Sequence, residues 1–543
     1  MAELDVDYER ARRLVEQLLA QPELLPFPAP APRLVETHIS WVLLCGEDVL
    51  KLKKPVHMGF IDFSTLARRD RCVHEELRLN RRFAPELYLG VLRISGTPQA
   101  PRFDGEGDLL ESAVHMRQFD PQGQLDVQIE RGLLHEEDVR EVAEAIARFQ
   151  IDAPHSEAAD DWGRFEFVMA PIRENFVRVR EAAAGWEDAE ARGRADPLEA
   201  RLGTLEARSE AWGAALREQI DARREQGFVR EGHGDLHLGN IARTQWGIRA
   251  FDCLEFAPTL RWIDVVCDLA FLYMDLVERG RADLAWVLVN AWATRTGDHE
   301  GLCLLPFYAL YRTMVRVKVA ALRRGQLSDP DERARCDEEL EAYLALAERF
   351  ARPRSPSLVL TCGPSGSGKS HHASRLASRA GAVHLRSDVE RKRLFGLAPE
   401  HRTTAEEGAR LYAAEATERT FASLEARAGA LLAAGLDVIV DATFLDASLR
   451  GRFAGLAALP GVRGALLECS AQPATLRARI EARAAAGEDA SDADLAVLEM
   501  QLARSDAPGA ECAGLERFRI GDDGDEAPEL ERLVAWLQAG EAP

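Results

Sequence analysis

The spacing of apolar and polar residues divides this chain into three regimes. From Thr37 the pattern is β-like. Ile39 to Cys45 and Val49 to Lys53 are apolar-rich runs separated by Gly46-Glu47-Asp48, which predicts a hairpin. A helix is expected over Leu66 to Phe83, followed by a strand pair over Leu89 to Ile94 and Ala113 to Gln118. From His135 to about Phe350 helical spacing dominates, with one interruption near 228–256. Pro330 to Arg349 reads as a polar-faced helix, and the Pro- and Ser-containing run 351–357 breaks it. Beyond that run, apolar strands and helices alternate, which predicts a parallel sheet with covering helices. Upstream, residues 22–32 (PELLPFPAPAP) hold five prolines and predict an extended arm. The expected organisation is an N-terminal arm (1–33), an α+β domain (34–352), a linker (353–357) and an α/β domain (358–543).

Composition narrows the possibilities. With 543 residues, of which 46% are hydrophobic, the chain is long enough for two or more domains with sizeable cores. Its 68 basic and 90 acidic residues leave a net charge of −22, which argues against bulk nucleic-acid binding and against an anionic membrane surface. No run of 18 apolar residues is present, so no transmembrane helix is expected. The start, MAELDVDYERARR, lacks the apolar centre of a signal peptide. The nine cysteines are scattered without a C-x-x-C pair, which fits reduced thiols in a cytoplasmic protein without structural zinc.

The chemistry is concentrated in two constellations. Gly363-Pro364-Ser365-Gly366-Ser367-Gly368-Lys369-Ser370 matches G-x-x-x-x-G-K-[ST], between the apolar run Leu358 to Cys362 and a helix-like stretch. Strand, glycine loop and helix N-terminus together make a cradle for the phosphates of ATP. Lys369 is expected on the β- and γ-phosphates and Ser370 on Mg²⁺. Asp441 ends the apolar strand from Asp437, where it would order Mg²⁺ or position substrate. Arg479 and Arg483 begin a lid-like stretch that runs on to Gly487 through Asp494 and would close on the transferring phosphate. Arg391, Lys392 and Arg393 are candidates to grip an anionic substrate. The adjacent His371 and His372 are expected to face solvent, since neighbours on a helix point apart.

The second constellation is His233-Gly234-Asp235-Leu236-His237-Leu238-Gly239-Asn240, followed by an apolar strand ending in Asp252. Phosphoryl transfer uses one carboxylate to accept the acceptor's hydroxyl proton, and an amide with a second carboxylate to hold Mg²⁺.

On these residues, 34–325 resemble the aminoglycoside phosphotransferase family, which is similar in fold to protein kinases. The resemblance implies a bilobal protein-kinase-like domain, with Asp235 as catalytic base, Asn240 and Asp252 as metal ligands, and Asp264 and Asp268 bracing the loop. It also implies an ATP-contacting strand lysine paired with a helix glutamate: Lys51, with Lys53 as rival, and Glu76, with Glu75 as alternative. The chain departs from that pattern in having no G-x-G-x-x-G loop, Thr37 to Trp41 lying in its place, and Leu238 where such loops often carry proline. Residues 357–540 resemble P-loop kinases of the zeta-toxin and polynucleotide-kinase-like group. That likeness implies an α/β P-loop NTPase domain, with Asp388 as base or hydroxyl-orienting residue. The pairing resembles bifunctional aminoglycoside phosphotransferase/ATP-binding proteins. The implied activity is ATP- and Mg²⁺-dependent transfer of a γ-phosphoryl group, at two sites, to a hydroxyl of a small molecule or nucleotide. The alternatives are a nucleotide-sensing regulator and a P-loop ATPase.

Overall fold

The computed structural model describes residues 2–540 apart from 30, 59–60, 158–159, 187–188, 487–490, 505 and 522–525. The chain condenses into two compact units, residues 1–135, 148–171 and 217–272 in the first, and 136–147, 172–216 and 273–543 in the second.

The first unit is built on a six-stranded antiparallel sheet. Its strands run in the order Arg33–Glu36, Ser40–Cys45, Asp48–Lys53, Leu109–Arg117, Tyr88–Thr97 and Ala100–Phe103. Successive side chains of a strand point to opposite faces, and both faces of the Asp48–Lys53 strand are covered. Leu50 and Leu52 join Leu14, Leu18, Trp41 and Leu43 on one side. Val49 joins Val73, Tyr88 and Val114 on the other. Lys51 and Lys53 share this second face, towards the helix Leu66–Asn80.

The first face corrects the expected arm. Ala2–Ala20 is a helix of 19 residues, and Ala11, Leu14, Val15 and Leu18 seat it in the sheet's core. The proline-rich run that follows holds only a short 3-10 turn, Pro22–Leu24. The strand Ala100–Phe103, not expected from the sequence, lies at the sheet edge, where Pro101 removes no interior ladder bond. Downstream, the interruption near 228–256 is a strand, Val229–Glu231, paired with Trp262–Asp264, and a hairpin of Ile241–Thr244 with Gly247–Ala250.

The second unit holds a five-stranded parallel sheet in the order Ala382–Arg386, Asp437–Asp441, Ser357–Cys362, Arg463–Cys469, Glu516–Ile520. The helix Lys369–Ala380 follows the central strand Ser357–Cys362. This unit also contains helices that precede residue 353, so the division between compact units does not fall at 353–357. The helix Ala282–Thr296 packs against Lys369–Ala380. Its Asn290 donates to the Ala382 carbonyl at 2.9 Å and accepts from the His384 N–H at 2.8 Å, as an added strand would. The chain thus carries an α+β part built on an antiparallel sheet, followed by an α/β part built on a parallel sheet with the G-x-x-x-x-G-K-[ST] loop after its central strand.

Candidate active sites

In the first unit the sheet and its helix assemble an ion cluster. Lys51 Nζ lies 2.7 Å from Glu76 Oε1 and 2.5 Å from Asp252 Oδ1. Lys53 Nζ lies 2.6 Å from Glu76 Oε2 and 2.5 Å from Glu255 Oε1. Both lysines therefore hold Glu76, as their shared strand face requires, and of the two it is Lys51 that pairs with Asp252. Glu75 points elsewhere, to Arg78 and Arg261, each at 2.7 Å. Burial opposes ionisation of Glu76, but Lys51 and Lys53 outweigh it and hold the carboxyl below its usual range. For Glu255 burial prevails over the pull of Lys53 and raises the carboxyl. Burial acts against the Lys51 charge too, yet Asp252 and Glu76 keep its ammonium well above the ordinary lysine value.

Asp252 sits at φ 63°, a left-handed conformation that is sparse for a side-chain-bearing residue. Its N–H donates to the Tyr88 hydroxyl at 3.1 Å, and the next N–H, of Cys253, donates to Asn80 Oδ1 at 2.9 Å. These two bonds pin the turn that presents its half-exposed carboxylate. Burial would raise this carboxyl; Lys51 and Lys53 hold it below its usual value.

The His233 to Asn240 segment faces the same cluster. Asp268 braces it, accepting the N–H groups of His233 and Gly234 at 2.7 and 2.9 Å. Gly234 has φ 85°, and a Cβ there would lie 2.7 Å from the Leu260 carbonyl oxygen, so a side chain has no room. Asp264 braces a different element: it takes a two-pronged bond from Arg223 at 2.7 and 3.0 Å. Asn240 Nδ2 donates to the Asp235 carbonyl at 2.9 Å and its carboxylate at 3.2 Å. Its amide oxygen is then what it has left to offer a cation. That oxygen, with the carboxylates of Asp235 and Asp252, is a hard-oxygen set of the kind Mg²⁺ takes alongside nucleotide phosphates. Glu255, Tyr88 and Asn80 were not legible as site residues. The one available signal was Glu255 three residues beyond Asp252.

In the second unit the cradle is backbone. Gly363 has φ 144°, and a Cβ on it would lie 2.1 Å from the Cys469 carbonyl oxygen. Lys369 Nζ donates to the Pro364 carbonyl at 2.7 Å, and burial lowers its pKa. Ser367 Oγ is buried without a hydrogen-bond partner. The Ser365 N–H donates to Gln501 Oε1 at 2.8 Å, a contact the sequence did not signal. These donors suit phosphate oxygens. Asp441 is buried, with His384 Nε2 at 3.3 Å and a hydrogen bond from Ser370. Burial acts against its charge, yet His384, Arg386 and Ser370 hold the carboxyl well below the ordinary range. Ser370 and Asp441 therefore form a hydroxyl–carboxylate pair that suits Mg²⁺.

A cavity of about 600 Å³ opens over this loop, lined by Lys369, Asp388, Asp441, Arg391, Arg479 and Arg483 among others. Burial raises the Asp388 carboxyl. Arg479 donates to the Gly366 carbonyl at 3.3 Å and Arg483 to Ala493 at 2.8 Å. The expected lid continues through 487–490, which lie outside the described residues, and resumes at Ser491. Of the basic trio only Arg391 lines the cavity. Lys392 is drawn to the His401 carbonyl at 2.7 Å and Asp492 at 3.3 Å, and Arg393 to Glu390 at 2.6 Å. Of the two adjacent histidines, His371 is exposed and His372 is buried, so only the first faces solvent.

Comparison with known proteins adds the following. The AAA domain family AAA_33 matches residues 358–508. Among solved structures, a choline kinase from Cryptosporidium parvum is 10% identical, with a TM-score of 0.40, covering 62% of this chain and 96% of that one. A putative kinase from Chloroflexus aurantiacus is 21% identical, with a TM-score of 0.29, covering 34% of this chain and 98% of that one. Uncharacterized proteins of Mycobacterium tuberculosis (Rv2004c, strain H37Rv) and Mycobacterium bovis (Mb2027c) are each 30% identical over 460 residues, 84% of this chain and 87% of theirs. At that identity and coverage, the chain belongs to the same family as Mycobacterium tuberculosis Rv2004c.

Proposed function

We propose that the chain is an ATP-dependent phosphotransferase with two nucleotide sites, each moving a γ-phosphoryl group to a hydroxyl of a small molecule or nucleotide. The observation that carries this reading is the Lys51–Glu76–Asp252 cluster beside Asp235 and Asn240. A lysine fixed between two carboxylates is held in place to receive phosphate oxygens, and the carboxylates keep it charged. In this reading Asp235 takes the acceptor's proton, with Asn240 and Asp252 holding the cation. Bound Mg²⁺ would neutralise charge on the transferring phosphates. In the second site Lys369 and the loop amides hold phosphate, Ser370 and Asp441 hold the cation, Asp388 orients the acceptor hydroxyl, and Arg479 and Arg483 stabilise the moving charge. The raised Asp388 carboxyl supports a proton-handling role there.

A second reading, in which the P-loop half binds nucleotide without transferring it, is favoured by one contact: Gln501 occupies a loop amide that a phosphate would need. The deciding experiment incubates the full chain with γ-labelled ATP, Mg²⁺ and pools of sugars, amino alcohols, aminoglycosides and nucleosides, then separates the products. Label on an organic acceptor supports transfer. Label recovered only as inorganic phosphate supports an ATPase, and no release supports a sensor.

A further inference from the structure

The second unit has another large cavity, of about 640 Å³, whose lining shares no residue with that of the P-loop cavity. Its composition contradicts the acidity of the chain as a whole. Five arginines line it, at 208, 349, 352, 354 and 379, and among the described residues no aspartate or glutamate does. Two of the five are neutralised from outside the lining: Arg354 by Asp437 at 3.0 Å and Arg379 by Glu531 at 2.7 Å. Arg208, Arg349 and Arg352 have no carboxylate in ion-pair range among the described residues. The Arg208 Nε is buried and makes no hydrogen bond. Its guanidinium instead lies 4.1 Å over the ring of Trp212, one helical turn further on. A buried guanidinium donor without an acceptor is costly, and an anion in the cavity would remove that cost.

The remaining walls are aromatic. Trp212, Tyr273, Trp286 and Phe350 all line the cavity. Tyr273 meets Trp286 edge-on at 5.6 Å, and Phe350 at a tilt of 39° with the ring centres 6.0 Å apart. The volume lies within the range that buries a small ligand. Flat apolar rings beside guanidinium groups that have no carboxylate partner among the described residues match a ligand with a planar heterocycle at one end and several phosphate charges at the other. Among the described residues the lining offers no carboxylate to hold Mg²⁺ or to act as a general base for phosphoryl transfer.

We propose that this cavity is a third, non-catalytic site that binds a purine nucleoside di- or triphosphate free of metal, separate from both phosphotransfer sites. The recognition elements are Arg208, Arg349 and Arg352 for the phosphates and the Trp212–Trp286–Phe350 surface for the base.

The test is photolabelling of the full chain with 8-azido-ATP in the presence of EDTA, followed by peptide mapping. Label is expected in peptides carrying Trp212, Trp286 or Phe350, in addition to any in the P-loop. Arg208→Gln with Arg349→Gln and Arg352→Gln should reduce the cavity label at least ten-fold and leave P-loop label unchanged. Arg349 and Arg352 are exposed, so the pair Arg349→Gln/Arg352→Gln, checked by thermal melt, separates loss of binding from loss of folding; it should still lower the label several-fold. Excess ADP should displace the label, and tripolyphosphate should do so much less well. Label confined to the two catalytic sites, or cavity label indifferent to the arginine changes in a folded variant, overturns the proposal. Equal displacement by tripolyphosphate overturns the nucleotide assignment.

Discussion

The two candidate sites hold their charges in opposite ways. Around Lys51, five charged side chains from a strand, a helix and a loop satisfy one another: Lys51, Lys53, Glu76, Asp252 and Glu255. Around Lys369 the cradle is a single run of eight residues, its binding groups are largely backbone, and the lysine rests on the carbonyl of Pro364. The first arrangement is a tertiary object whose members depend on one another in the folded state. The second is a local conformation, enforced by glycines and a helix start, that is short of acceptors until an anion arrives. Charge substitutions in the first should therefore damage stability as well as chemistry, and in the second chiefly binding.

The largest effect expected within this comparison is on chemistry in the first site. Asp235→Asn keeps size and polarity but removes the carboxylate proposed as proton acceptor. With the P-loop site silenced by Lys369→Ala, transfer of labelled phosphate should fall by roughly 10²–10⁴-fold while ATP binding persists. Unchanged turnover would remove the first site from the phosphotransferase reading.

Next comes stability. Glu76→Gln leaves two buried ammonium groups sharing fewer carboxylates, and the cost should be about 3–5 kcal/mol, read as a drop in urea midpoint. The sign of its pH dependence follows from the depressed carboxyl. The stabilisation is fully present above the ordinary glutamate value of 4.5 and is lost as pH falls through the lower folded value. The gap between wild type and Glu76→Gln should therefore narrow below about pH 4.5. A gap that widened on acidification would refute the ion cluster.

Lys369→Ala should weaken nucleotide binding at the P-loop by about 10- to 100-fold, the worth of a charge-assisted bond, and shift the urea midpoint far less than Glu76→Gln. A comparable loss of stability would show that the two sites are built alike after all. Smallest is Arg479→Ala. This side chain reaches the loop only through the Gly366 carbonyl, and transfer at the second site should slow by about 2- to 10-fold without a change in thermal stability.

Much of the first unit was readable from periodicity. The hairpin around Gly46 and Glu47, the helix that begins at Leu66 and the strands near Tyr88 and Leu109 follow from the residues that form them. The N-terminal helix carried a signal too, Ala11, Leu14, Val15 and Leu18 recurring at helical spacing, but the prolines after it pointed to an arm. Strand Ala100–Phe103 was hidden by its own proline. Lys51 and Lys53 could not be separated in advance, because a period of two places both on one face; only the position of Asp252 distinguishes them.

What the sequence determined by itself is the chemistry that neighbours in the chain can build. A phosphate loop is such an object, since eight consecutive residues contain the turn, the amides and the lysine. So is the spacing of Asp235 and Asn240 on one short segment. The tertiary structure decided everything that joins distant residues: that Glu76 rather than Glu75 meets the lysines, that Glu255 completes the cluster, that Lys392 and Arg393 turn away while Arg391 faces the cavity, and that helix Ala282–Thr296 packs with the P-loop sheet. Local propensity acts over a few residues. An ion pair between Lys51 and Asp252 is selected only once the folded backbone closes the loop of 201 positions between them, and burial then makes that one partner better than water.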